Sequence, residues 1–74
     1  MGFDKQRVAA CIRANRAKLG MSRDEFGRIC GIPASTIGSY ETADNVPSLE
    51  NAWKIADACD LEMDDLFERQ RKAG

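Results

Sequence analysis

Histidine is absent from this chain, proline occurs twice, and the three cysteines show no CxxC spacing. Without an imidazole, the side chain most used as a general base and neutral metal ligand is missing. Cys11, Cys30 and Cys59 are odd in number and unpaired in spacing, which argues against a disulfide framework and against a zinc site. Each falls on the apolar phase of its helix, so each is read as a small hydrophobe in a reducing compartment. No metal and no cofactor are expected. No nucleophile–base pair stands out, and Asp64–Asp65 is more simply the charged start of a helix, so the chain is not expected to be an enzyme. Apolar runs last only a few residues, so no membrane span is expected, and no apolar core follows the N-terminal charges as a signal peptide requires. A cytoplasmic location is the expectation. Strand-like alternation and internal repeats are also missing.

What remains is 74 residues, 43% apolar and 31% charged, with a net charge of −1. A chain of this length buries only about 60–65% of its unfolded surface, so the core is small. The near-neutral total hides an asymmetry. Residues 1–37 carry seven Lys or Arg against three acids, and residues 38–74 carry four against nine. Such a map gives an oriented field, with the basic half as the approach for an anion.

The pattern predicts five helices in one all-α domain spanning 1–74. The first runs from about Asp4 to Leu19, with Val8, Cys11, Ile12 and Leu19 as its apolar stripe and Gly20 as its stop. Ser22 and Glu25 make a capping box, with Met21 and Phe26 placed as the staple around it. The second helix carries Phe26, Ile29 and Cys30 and ends at Gly31. Pro33 opens the third, where its missing N–H costs nothing, with Ile37 and Tyr40 inward. After the loop "TADNVP", Ser48 caps a fourth helix with Leu49, Ala52, Trp53, Ala56 and Cys59 on its apolar face, and Asp60 breaks it. A fifth short helix carries Met63, Leu66 and Phe67. The charged end "ERQRKAG", 68–74, is expected to fray.

Two short helices joined by a glycine turn outline a helix-turn-helix. In "SRDEFGRICGIPASTIGSYE", Phe26, Cys30, Ile32, Ile37 and Tyr40 are spaced to pack the two helices steeply, and Gly27 lacks a side chain where close contact needs none. Over about residues 8–67 the chain resembles the Cro and phage-repressor type of helix-turn-helix, the lambda-repressor-like or XRE group. The features carrying the resemblance are Ser22, Gly27 after Phe26, Gly31–Ile32, Glu41, Pro47, the run Ala52–Trp53–Lys54–Ile55–Ala56, and the closing Leu61–Glu62–Met63–Asp64–Asp65–Leu66–Phe67.

The resemblance implies a sequence-selective regulator that binds double-stranded DNA with helix 33–41 in the major groove. It would place Ala34, Ser35 and Ser39 at the base edges, with Pro33 and Thr36 beside them. Small residues let a helix sit deep. Their hydroxyls and methyls suit several bases, but none makes the bidentate contact of Arg, Asn or Gln. A permissive or shape-dependent reader is therefore implied. Arg23 would grip a phosphate at the start of the second helix, and Arg28, Arg13, Lys18 and Arg7 are weaker candidates. Arg16 and Glu41 match positions that form a structural ion pair in the family.

The chain departs from the family in the loop after Glu41, where Ala43, Asp44 and Asn45 stand in place of glycine and basic residues. An acid there repels DNA. A second reading therefore stays open: a protein-interaction or antitoxin-like adaptor on the same fold, with a protein partner and weakened DNA binding. The resemblance also implies a homodimer reading two half-sites. Leu61, Met63, Leu66 and Phe67 are its expected surface, unless they simply close the core over Trp53.

Overall fold

A computed structural model of the protein describes residues 4–67 and, among these, no side chain for Asp64 or Phe67. The expected frayed end 68–74 lies outside the described residues. Five helices follow in order: α1 Lys5–Lys18, α2 Arg23–Cys30, α3 Ala34–Glu41, α4 Leu49–Cys59 and α5 Met63–Phe67. No strand occurs among the described residues.

Local chemistry accounts for the boundaries. Asp4 caps α1 by accepting from the Gln6 backbone N–H at 3.0 Å. At α2 the capping box is reciprocal: Ser22 Oγ accepts from Glu25 N at 3.1 Å, and Glu25 Oε1 accepts from Ser22 N at 2.8 Å. Those bonds hold the Glu25 carboxyl below its ordinary range, the backbone contact at Ser22 being the main cause. Gly31 ends α2 in the left-handed conformation at φ 73°. Pro33 takes the cap position of α3, one residue earlier than the opening turn expected of it. Ser48 caps α4, and Asp60 ends it in the left-handed region.

The core joins Val8 and Ile12 of α1, Phe26 and Cys30 of α2, Ile32 of the turn, Ile37 and Tyr40 of α3, Ala52, Ile55 and Ala56 of α4, and Leu66 of α5. The helix α1 packs on α3 and α5, and α2 packs on α3 and α4. Several expected inward residues face out. Leu19 and Ile29 are exposed, as are Leu49 and Trp53, the last at 61%. The reason at α4 is geometric. Apolar side chains cover more than half its circumference, so the stripe could lie on either of two overlapping rows. The core takes the row containing Ile55, which has no exposure at all, and leaves Leu49 and Trp53 at the edge.

Leu66 is also fully buried, so it belongs to the core and not to a free dimer surface. Leu61 and Met63 are half-buried and pack against the core, and the Phe67 side chain lies outside what is described. Core closure involves Leu66, but Trp53 is not beneath it. Of the cysteines, Cys30 is buried, and Cys11 and Cys59 are half-buried. Burial, with the neighbouring Cys59 second, pushes the Cys30 thiol up to about 11, so it stays protonated at neutral pH.

Candidate nucleic-acid interface

The unit α2–turn–α3 depends on one close approach. A Cβ on Gly27 would stand 2.4 Å from the Ile32 carbonyl oxygen and 3.4 Å from the Ala34 nitrogen. The Ile32 N–H donates to the Gly27 carbonyl at 2.9 Å, which seats the turn directly on α2. Only glycine permits that distance, so the close packing of the two helices is written at this position.

Helix α3 is then pinned from its inner side. Ile37 is fully buried, and the Tyr40 hydroxyl accepts from Asn51 Nδ2 of α4 at 2.8 Å. Its outer side carries Ser35, exposed, with Ala34, Thr36, Gly38 and Ser39 half-buried around it and Pro33 exposed at its start. None of these residues carries a charge. The one charge on the helix, Glu41, is turned inward and its side chain has no exposure.

Glu41 is where three helices meet. Arg16 of α1 grips the carboxylate with two bonds, Nε to Oε2 at 2.7 Å and Nη2 to Oε1 at 3.1 Å. Its remaining Nη1 donates to the Met21 carbonyl at 3.0 Å. Arg23 of α2 donates from Nε to Glu41 Oε1 at 3.1 Å. Arg13 of α1 donates to the Glu41 backbone carbonyl. Burial alone would push the Glu41 carboxyl up, but the bonds from Arg16 and Arg23 prevail and hold it below the usual carboxylate range. Among the described residues, no buried side-chain nitrogen or oxygen lacks a partner. A buried charge is tolerable only when satisfied in this way.

Arg23 and Arg13, first considered as phosphate contacts, are thus both drawn to the end of α3, Arg23 remaining about half exposed. The pairing of Arg23 and the reach of Arg13 were not foreseen. The i, i+3 placement of Arg13 and Arg16 on one side of α1 is the signal that was available. Arg28, Lys18 and Arg7 are exposed.

Beyond α3, Ala43 adopts φ 63° and is buried, a left-handed conformation held by a non-glycine residue. Asp44 N donates to the Ser39 carbonyl at 3.0 Å, and its exposed carboxylate accepts from the Thr42 hydroxyl at 2.9 Å. Away from this loop, Leu49, Trp53 and Met63 line an open apolar depression flanked by Glu50 and Lys54. Neither the sequence pattern of α4 nor that of α5 placed this patch. Among the described residues, no group of three or more His, Cys, Asp or Glu is arranged to hold a metal ion. No helix among them is long and apolar enough to cross a membrane.

Residues 12–66 match the model of the helix-turn-helix family. An uncharacterized HTH-type transcriptional regulator of Bacillus subtilis, YgzD, is 36% identical over 56 residues, covering 76% of this chain and 85% of that protein. An uncharacterized HTH-type transcriptional regulator of Archaeoglobus fulgidus is 39% identical over 76% of this chain and 80% of its own length. The restriction-modification controller protein C.AhdI of Aeromonas hydrophila superposes with a TM-score of 0.80 at 30% identity, over 86% of this chain and 97% of that one. The P22 c2 repressor, solved in complex with a synthetic operator, also gives 0.80, at 27% identity over 85% of this chain and 96% of its own. The close glycine-seated helix pair, the inward Glu41 and these likenesses agree, and the chain belongs to the helix-turn-helix family, in its lambda-repressor-like, XRE branch.

Proposed function

We propose that the protein is a DNA-binding transcriptional regulator that lays α3 in the major groove of double-stranded DNA, with Ala34, Ser35 and Ser39 at the base edges and Pro33 and Thr36 beside them. The observation that carries this reading is the outer face of α3. The helix's own residues there are small and uncharged, on a helix anchored by the Glu41 cluster. A helix so built enters a groove without ordering flexible chains. Arg28 and Lys18 supply exposed positive charge toward phosphates, and Arg13 supplies its donors not committed to Glu41.

A homodimer completes the reading, because one half-site read by Ser and Ala carries little affinity. Its surface is the patch of Leu49, Trp53 and Met63, in place of a surface that included Leu66. Exposed large apolar groups gathered in one place mark an interaction site more often than single ones do.

The test is titration of the protein against duplexes selected from a random pool, at several salt concentrations. With three or four phosphate contacts per protomer, the log–log slope for a dimer should be about −5 to −7. Trp53→Glu should abolish cooperative binding with the fold intact. A monomer that binds one half-site with full affinity would sink the dimer. Failure to bind any duplex at low salt would favour the adaptor reading, for which the exposed Asp44 carboxylate is the supporting observation.

A further inference from the structure

We infer that Arg23, although it belongs to α2, is the specificity-determining side chain of this interface and selects a guanine in each half-site. The inference rests on the DNA-binding reading above and deepens it. Arg23 leaves the first turn of α2 and crosses to α3, where its Nε donates to Glu41 Oε1 at 3.1 Å. On the way it passes over Gly38. A Cβ built there would stand 3.4 Å from Arg23 Nη1 and 3.8 Å from Cζ. The missing side chain at Gly38 is the track in which the guanidinium lies.

That placement puts a cation on a helix surface that has none of its own. Gly38 lies one turn beyond Ser35 and next to Ser39, so the guanidinium lies beside the residues proposed to face the bases. The helix offers no Arg, Lys, Asn or Gln, the side chains whose geometry discriminates purines. The unfilled volume over its small residues is therefore served from the neighbouring helix.

The orientation suits a base more than a phosphate. With Nε committed to Glu41, the donors left are those on Nη1 and Nη2, the planar pair at the end of the guanidinium, with Nη1 over Gly38. Two parallel donors of this kind match guanine O6 and N7. The Glu41 carboxylate, fully buried and gripped also by Arg16, cannot follow Arg23 outward, so it fixes the direction of the fork. It also offsets part of the positive charge. What remains is a directional donor rather than a point charge, and Arg differs from Lys in this respect.

Selection of bound sequences from randomised duplexes, with wild type, Arg23→Met and Arg23→Ala compared, tests the assignment. Wild type should select guanine at one position of each half-site. Arg23→Met, which keeps the length and removes every donor, should lower that preference roughly 5- to 150-fold while the preferences at other positions hold. Replacing that guanine by 7-deazaguanine removes N7 and leaves every phosphate in place. It should weaken wild type and leave Arg23→Met unaffected. Gly38→Leu, which fills the track with a good helix former, should lose the same guanine, and thermal melts of each variant should show a folded protein.

Retention of the guanine by Arg23→Met would overturn the inference. So would a uniform loss across all sequences in Arg23→Ala, with the salt slope shallower by about one, which is the behaviour of a phosphate anchor. Wild type that binds duplexes without selecting any guanine also overturns it. Wild type that binds no duplex at all overturns the DNA reading itself, and this inference falls with it.

Discussion

The helices α1–α3 and the helices α4–α5 handle their awkward groups in opposite ways. In α1–α3 the buried charge is surrounded: Glu41 receives Arg16 and Arg23 on its carboxylate and Arg13 on its carbonyl. In α4–α5 the apolar surplus is left in the open, with Leu49 and Trp53 exposed beside a core of small alanines. An unpaired buried charge costs several kcal/mol, about 3–5 when one partner is removed, so its partners are specified within the same chain. An exposed Trp costs far less and is available to a second molecule. The first region therefore supplies rigidity to the reading helix, and the second supplies a surface for assembly.

The largest effect that would break this contrast is expected at Glu41. Glu41→Ala should destabilise the fold by about 3 kcal/mol, near the low end for buried pairs because Arg16 and Arg23 both retain access to water. Arg16→Ala should cost a similar amount, and the double variant clearly less than the sum, measured by urea unfolding of the full cycle. Near-zero additive effects would mean that the cluster is a solvated surface and that the two regions do not differ in kind.

Leucines give the next comparison. Leu66→Ala should cost about 2–4 kcal/mol, because the side chain is wholly enclosed, while Leu49→Ala should cost under about 0.5. Equal costs in the same unfolding experiment would show that α4 presents a different face from the one described.

Acid should erode the first region before the second. The folded Glu41 carboxyl titrates below its ordinary value of 4.5. Its contribution is thus complete above that unfolded value and is lost as pH falls through the lower folded one. Melting temperature followed from about pH 6 to about pH 2 should drop within that acid window, and less steeply in Glu41→Gln. A pH profile identical in the variant would remove Glu41 as the cause.

The smallest effect lies in the loop between the regions. Ala43 holds φ 63°, where an L-residue with a Cβ is strained, and it also buries its methyl. Ala43→Gly relieves the strain at the cost of that contact and of a freer unfolded chain, so a net gain of no more than about 1 kcal/mol is expected. A loss on thermal melting would show that the methyl contact outweighs the strain.

Much of the first region was legible before any coordinates. The Ser22–Glu25 box, Gly27, Gly31 and the inward Ile37 and Tyr40 follow from residue chemistry within a few positions of each other. Arg16 and Glu41 came from resemblance and not from spacing. Little announced that Arg23 would turn from the α2 terminus to Glu41, since this depends on where α3 crosses. The second region misled. Leu49 and Trp53 share a helical row with Ala52 and Ala56, and periodicity alone cannot rank two overlapping rows.

The sequence by itself determined where helices start and stop, because caps, left-handed glycines and the i+3 box act over one turn of chain. It also determined that the α2–α3 pair packs closely, because Gly27 leaves no Cβ in the way. Only the tertiary structure decided which row of α4 faces inward, that Leu66 is core, and that three arginines from two helices converge on Glu41, two on its carboxylate and one on its backbone carbonyl. Those outcomes depend on the angles at which elements distant in sequence cross, and those angles are settled by filling a common volume, not by any local preference.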